Sequence, residues 1–201
     1  MRDSAVSEGR RAVAIAAARM RTAGLNRVSF AGNISARLGS DAMLITPSGM
    51  EKDSLDAKDI SVMSLYGKVS DGPRPSSEWR LHAALYRKHG GILAVVHPHP
   101  IFSLTVTDVM GLDGLALGAY EEVQYYLGGD GTVGLVNGKS GTQELADKVA
   151  EAMRSGARVV IIKGHGTVAA GGSLGEALSR AEALEYFSEQ SYRISCLKHI
   201  A

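Results

Sequence analysis

The sequence contains a single cysteine, Cys196, among 201 residues. An intramolecular disulfide and a zinc site built from several thiolates are therefore both excluded, and a cytoplasmic location is the simplest prediction. An excess of charge is also missing, because 22 basic and 21 acidic residues leave a formal net charge of +1. Since there is no basic stripe, neither nucleic acid nor an anionic membrane is predicted as a partner.

Long apolar runs are missing as well, since no stretch approaches the ~20 apolar residues of a membrane span. The apolar run 12–18 follows two arginines, as in a signal peptide, but its flanking charges and spacing are typical of an amphipathic helix. The length and a hydrophobic content of 45% fit one globular domain over residues 1–201. Small molecules, or copies of the chain itself, are the predicted partners.

Periodicity and turn residues predict alternating helices and strands. Helices are predicted over 4–23, 78–88, 100–107, 142–154 and 174–195, and strands over 34–38, 42–46, 60–65, 68–70, 92–96 and 158–162. The glycine-rich stretch 109–141 is predicted to form loops with short strands.

Three histidines follow two of the apolar strands. His97 and His99 are separated by Pro98, and in an extended chain residues two apart point the same way, so both imidazoles can bind one ion. His165 ends the other strand between two glycines. Three imidazoles suit zinc and leave an open position for a substrate, whereas the alternative is partly buried histidines that only bond to backbone.

Glu78 follows two serines at the start of a predicted helix. The helix dipole favours an anion there, so a purely structural first-turn glutamate is one interpretation. The other is a general base, or a displaceable ligand, at the open metal position. His82 lies one turn further along the helix and is interpreted as a core histidine outside the site.

Three short stretches offer small polar side chains and accessible backbone N–H groups: Gly32-Asn33, Ser48-Gly49 and Ser76-Ser77. Each taken singly is typical of an ordinary turn or helix cap. Together, in a chain that also carries a metal site, they indicate a phosphate cradle.

The order of these motifs resembles that of one known family, the class II aldolase/adducin family. The shared motifs are Gly32-Asn33-Ile34-Ser35, Ile45-Thr46-Pro47-Ser48-Gly49, Pro75-Ser76-Ser77-Glu78-Trp79-Arg80-Leu81-His82, His97-Pro98-His99-Pro100 and Gly164-His165-Gly166. The resemblance implies an α/β single domain whose central, mainly antiparallel sheet is flanked by helices on both faces. It also implies a homotetramer with active sites between neighbouring subunits.

The resemblance further implies residue roles. One zinc ion per subunit would be held by His97, His99 and His165, with Glu78 as the acid/base. The substrate phosphate would be bound by Gly32, Asn33, Ser48, Gly49, Ser76 and Ser77. A tyrosine from the neighbouring subunit would be the second proton donor; Tyr120 is the candidate, and a core or surface tyrosine is the alternative.

The implied reaction is retro-aldol cleavage of a small phosphorylated ketose to dihydroxyacetone phosphate and a short aldehyde. A pentulose-5-phosphate 4-epimerase is the alternative within the family, although those enzymes place aspartate where this chain has Glu78. Dehydratases and decarboxylases of sugar phosphates have the same fold, and their reactions are further alternatives for this chain. The adducin branch, which assembles proteins and needs no metal, is disfavoured by the retention of the three histidines and Glu78.

Overall fold

A computed structural model describes residues 2–154 and 156–198. Its helices are α1 (Arg2–Thr22), α2 (Trp79–Lys88), α3 (Ile101–Met110), α4 (Val123–Leu127), α5 (Gln143–Arg154) and α6 (Leu174–Lys198). Its strands are β1 (Asn33–Leu38), β2 (Ala42–Ile45), β3 (Ser61–Ser64), β4 (Val69–Asp71), β5 (Ala94–His97), β6 (Val133–Val136), β7 (Val159–Ile162) and β8 (Gly166–Gly171).

One sheet of eight strands, in the order β4-β3-β2-β1-β5-β8-β7-β6, forms the centre of the molecule. All neighbouring strands are antiparallel except the parallel pair β6 and β7. The predicted mainly antiparallel sheet is thus confirmed.

Helices cover both faces of the sheet, as expected, because the strands bury side chains on both sides. On β5, Val96 packs with the face covered by α1 and α6. Its neighbour Val95 packs with the opposite face, under α2 and α5. Leu145, Val149 and Met153, spaced four apart on α5, are all buried there. Within residues 2–154 and 156–198, no helix combines the length and apolar character that crossing a membrane requires.

Two elements differ from the sequence-based expectation. Strand β8 was not predicted, because four of its six residues are glycine or alanine, which are depleted in strands. It is nonetheless fully buried between β5 and β7, so the tertiary context decides its conformation. Helix α4 forms within the stretch predicted as loops and short strands, and it buries Val123 and Leu127 against the α6 side of the core.

Candidate metal centre

The two histidines that follow the apolar strand lie at the middle of the sheet. His97 is the last residue of β5 and pairs with Asn33, the first residue of β1. The Nε2 atoms of His97 and His99 lie 3.3 Å apart. The carboxylate of Glu185 on α6 accepts hydrogen bonds from the first three backbone N–H groups of α3, at 2.8–3.0 Å, and so fixes the chain just after His99.

His165 reaches the same point from the turn between β7 and β8. Its ring centroid lies 4.9 Å from that of His97 and 5.0 Å from that of His99. Gly164 has φ +65, a conformation that favours glycine, and Gly166 passes so close that an added Cβ would lie 2.8 Å from the His97 ring. The two glycines around His165 therefore serve the turn and the close approach that the sequence suggested.

Glu78 completes the cluster. Its Oε2 lies 3.0 Å from His97 Nε2 and its Oε1 lies 3.3 Å from His165 Nε2. Although Glu78 occupies the N-cap of α2, its side chain makes no capping hydrogen bond. Asn33 Nδ2 donates to Oε2 at 3.0 Å, and the Ser140 hydroxyl donates to Oε1 at 2.9 Å. The carboxylate thus faces the histidines, and not the helix end.

The charges of the cluster suit metal ligands. Burial raises the pKa of Glu78, but the adjoining His97, then His165 and the Ser140 hydroxyl, outweigh burial and hold the pKa well below its usual range. Burial, with the neighbouring His97 and His165, lowers the pKa of His99 to about 4. Burial also lowers the pKa of His165. The lowered pKa values favour neutral His99 and His165, each with one unprotonated ring nitrogen that can bind a metal cation beside the ionised carboxylate of Glu78.

The geometry fits a divalent metal ion. The ligand atoms of Glu78, His97, His99 and His165 all lie within 4.8 Å of one another. Tetrahedral zinc with Zn–N distances of ~2.0–2.1 Å places its ligands about 3.3–3.4 Å apart, and the His97–His99 separation is 3.3 Å. His97 Nδ1 lies 2.7 Å from the Thr167 carbonyl oxygen, so Nδ1 donates there and Nε2 keeps its lone pair for the ion.

The stretches predicted to bind phosphate converge beside this cluster. An isolated bridge between Pro47 and Pro75 and the bond from Ser48 N–H to Arg74 O at 3.0 Å join two of the three loops. Thr46 connects these two loops to the Gly32-Asn33 loop, because its hydroxyl accepts a hydrogen bond from the Ile34 N–H at 3.1 Å. The three loops joined in this way carry the six predicted residues Gly32, Asn33, Ser48, Gly49, Ser76 and Ser77. Their binding of phosphate stays a prediction.

Two of these six also bond to Glu78. Asn33 donates one amide hydrogen to the Glu78 carboxylate. Ser76 Oγ accepts a hydrogen bond from the Glu78 N–H at 3.2 Å and so helps to set the start of α2. Ser77 and Gly49 are exposed. The loops therefore combine two buried, hydrogen-bonded residues, Asn33 and Ser76, with two accessible ones, Ser77 and Gly49.

Tyr120, the candidate second proton donor, lies apart from the cluster within its own subunit. Its ring packs against Phe187 at a centroid distance of 5.0 Å, and it contacts the apolar core under α6. Its hydroxyl is buried without a hydrogen-bond partner among the described residues. A role at a neighbouring subunit's site would require this hydroxyl to become accessible, and the role stays a prediction.

Three polar residues that position the site were not singled out from the sequence. Asn26 is buried and accepts a hydrogen bond from the His99 N–H at 2.6 Å. Lys52 is 3% exposed, and its ammonium donates to Met50 O at 2.6 Å, next in the chain to Gly49, one of the residues predicted to bind phosphate. Ser140 reaches Glu78 from 62 residues away. Each reads in sequence as an ordinary loop residue, and only the fold brings it to the site.

Two known proteins are similar in sequence to most of this chain. Methylthioribulose-1-phosphate dehydratase of Methylococcus capsulatus is 35% identical over 83% of this chain and 85% of that protein. The 5-methylthioribulose-1-phosphate/5-deoxyribulose-1-phosphate aldolase of Rhodospirillum rubrum is 34% identical over 91% of this chain and 79% of that protein.

A solved structure supports the same assignment. L-fuculose-1-phosphate aldolase from Thermus thermophilus superposes with a TM-score of 0.71 and 30% identity, covering 94% of this chain and 93% of that one. The family model for the class II aldolase and adducin N-terminal domain matches residues 11–192. The match spans nearly the whole chain, including His97, His99 and His165, and the protein belongs to the class II aldolase and adducin family.

Proposed function

We propose that this chain is a zinc-dependent aldolase that cleaves a small phosphorylated ketose to dihydroxyacetone phosphate and a short aldehyde. The observation that carries the proposal is the position of Glu78, an ionised and buried carboxylate between His97 and His165. A carboxylate held there has the reach and the protonation state of a general base beside a metal-bound substrate.

His97, His99 and His165 would hold the zinc, with Glu78 as a displaceable fourth ligand. When bound, the metal supplies Lewis-acid stabilisation of the negative charge that develops beside the substrate carbonyl. The loops around Gly32, Ser48 and Ser76 would bind the phosphate through hydroxyls and through neighbouring backbone N–H groups, because the N–H groups of Ser48 and Ser76 themselves donate to Arg74 O and Thr46 O.

The proton transfers then fall to the side chains. Breaking the C3–C4 bond requires the C4 hydroxyl to lose a proton, and its electrons form the aldehyde while charge passes to C3 and the carbonyl. In cleavage the Glu78 carboxyl group, protonated from solvent, gives its proton to C3, completes dihydroxyacetone phosphate and is left ionised. In the synthetic direction Glu78 removes that proton. The second acid is proposed to be a tyrosine of a neighbouring subunit in a homotetramer, with Tyr120 as the candidate.

A second candidate is dehydration of a ketose 1-phosphate, because a relative with 35% identity is named methylthioribulose-1-phosphate dehydratase. Both reactions develop negative charge at C3, and Glu78 moves a proton at C3 in each: it gives the proton in retro-aldol cleavage and removes it in dehydration. They differ at C4, where the aldolase breaks a carbon–carbon bond and the dehydratase expels the hydroxyl as water.

One experiment separates these candidates. The zinc-loaded protein is incubated with dihydroxyacetone phosphate and a panel of short aldehydes, and separately with 5-methylthioribulose 1-phosphate. Condensation products support the aldolase, and loss of water without cleavage supports the dehydratase. Glu78→Gln keeps the size of the side chain but accepts no proton, so it should bind zinc and yet fail in either reaction. Wild-type turnover in this variant would remove Glu78 from its role.

A further inference from the structure

A chain of four hydrogen bonds runs through the core from Tyr86 to the Glu78 carboxylate. The hydroxyls of Tyr86 and Ser35 lie 2.6 Å apart, and Ser35 Oγ lies 2.7 Å from His82 Nδ1. His82 Nε2 lies 2.5 Å from Asn33 Oδ1, and Asn33 Nδ2 donates to Glu78 Oε2 at 3.0 Å. The other four members of this hydrogen-bond chain, Tyr86, Ser35, His82 and Asn33, are at most 4% exposed. Water therefore does not replace a missing partner.

The direction of every hydrogen bond in this chain follows from the bond between Asn33 and Glu78. An ionised carboxylate only accepts hydrogen bonds, so Asn33 must turn its N–H₂ group toward Glu78 and its carbonyl oxygen toward His82. His82 must then carry its proton on Nε2. Because complete burial, followed by the charge of His97, lowers the pKa of His82 to about 3, Nδ1 is unprotonated and accepts from Ser35. Ser35 in turn accepts from Tyr86.

We propose that His82 is a positioning residue for Glu78: the Nε2–H tautomer of its imidazole holds the Asn33 amide with the N–H₂ group facing the carboxylate. This inference deepens the proposed function and rests on it for the task of Glu78 as proton carrier. The orientation itself rests only on the hydrogen bonds.

The chain positions a group and does not conduct protons. The amide of Asn33 lies between the imidazole and the carboxylate, and an amide does not pass on a proton as a hydroxyl or an imidazole does. Its effect is geometric: Asn33 holds Oε2 while Ser140 holds Oε1, and each carboxylate oxygen faces one histidine of the metal cluster. Without His82 the amide is free to turn its oxygen toward Glu78, which repels the carboxylate.

Another histidine near the end of the same helix provides a matched control. His89 is the C-cap of α2, and its Nε2 bonds to the Ala150 carbonyl oxygen at 2.8 Å. That contact joins α2 to α5 and leads to no residue of the metal cluster. Losing His89 therefore removes a histidine hydrogen bond of the scaffold without disturbing Asn33.

The functional test compares His82→Leu, His82→Gln and His89→Leu. The glutamine amide can place an N–H near the Nε2 position, whereas leucine fills space and donates nothing. The assay follows exchange of the donor-carbon proton of dihydroxyacetone phosphate with D₂O in the zinc-loaded protein. His82→Leu should lower kcat about 10- to 100-fold, the range for partners that orient ligands, with KM changed less than about threefold. His82→Gln should recover most of the rate, and His89→Leu should lower only stability.

A structural test needs no activity. Histidine ¹⁵N NMR of the wild-type protein at pH 7 should show His82 neutral with its proton on Nε2. The side-chain amide signals of Asn33 should shift in His82→Leu and stay in place in His89→Leu. If His82→Leu fails to fold, Ser35→Ala replaces it. This variant removes the hydrogen bond to His82 Nδ1, so the imidazole is no longer held in one tautomer, and the same Asn33 signals should shift to a smaller degree.

Three results would overturn the inference: a proton on Nδ1, wild-type kcat in His82→Leu, or no advantage of His82→Gln over His82→Leu. If the wild-type protein exchanges no donor-carbon proton, this result refutes the proposed function and leaves the inference about His82 undecided by activity. The Asn33 amide signals then decide alone whether His82 sets the orientation, and unchanged signals would refute it.

Discussion

Replacing Gly166 by alanine is a sharp test of how closely the metal ligands are packed. A Cβ at this position would lie 2.7 Å from Pro98 O, 2.8 Å from His97 Cε1 and 2.9 Å from His99 Cδ2. Ordinary contacts begin at 3.4 Å, so these atoms must retreat by about 0.5–0.7 Å (3.4 − 2.9 and 3.4 − 2.7). The backbone of Gly166 has no positive φ, and the methyl group itself is therefore the only perturbation.

The expected effect falls on metal affinity. Metal–ligand distances tolerate deviations of only about 0.2 Å, and both rings on one side of the site are displaced by more than that. We expect Gly166→Ala to bind zinc about 10- to 100-fold more weakly, which corresponds to about 1.4–2.7 kcal/mol. Competition with a chromophoric zinc chelator measures this directly, and urea unfolding of the metal-free variant measures stability separately.

Gly39→Ala is the matched control. Gly39 has φ +65 in the turn between β1 and β2, and an added Cβ there meets nothing within 4 Å. Alanine should cost about 1–2 kcal/mol of folding free energy through backbone strain alone and leave zinc affinity unchanged. Wild-type affinity in Gly166→Ala, or an equal loss in Gly39→Ala, would refute the claim that Gly166 sets the spacing of His97 and His99.

Three further predictions concern the scaffold of the site. Glu185→Ala removes the acceptor of three N–H groups at the start of α3 and should lower the free energy of unfolding by about 1–2 kcal/mol in urea titrations, with Glu185→Gln losing less. Gly32→Ala places a Cβ 2.5 Å from Asn26 Nδ2 at a φ of +70, so its urea midpoint should fall by more than that of Gly39→Ala. The pKa of His82 is about 3 when folded, below its unfolded value of ~6.5. The unfolded state therefore binds the proton more readily, and the metal-free protein should be most stable above pH 6.5 and lose stability progressively as the pH falls toward 3. Urea unfolding of His82→Gln should lack this part of the pH dependence.

The histidines of the candidate metal centre were predicted from the sequence because their spacing is a local feature of the chain. The two-residue period of a strand places His97 and His99 on the same side, and the glycines around His165 permit the close approach. Glu78 was accessible for a similar reason, since it starts a helix just after the serine pair. Such features need only a few consecutive residues to be recognised.

Other features depended on residues far apart in the chain. Strand β8 forms because β5 and β7 flank it, although its own residues have low strand propensity. Ser140 contacts Glu78 across 62 residues of separation, and the loop that carries it has no distinctive pattern. The burial of the Tyr120 hydroxyl beneath α6 likewise depends on how a glycine-rich stretch packs.

The sequence by itself indicated the candidate metal ligands and the amphipathic helices, because periodicity and turn chemistry are properties of neighbouring residues, and its resemblance to the family implied the mainly antiparallel layered fold. Only the tertiary structure decided which way the Asn33 amide points, which tautomer His82 adopts and how Asn33 and Ser140 donate to the two oxygens of Glu78. The reason is that a buried hydrogen-bonding group takes its direction from all its partners at once, and here those partners come from β1, α2 and the loop before α5.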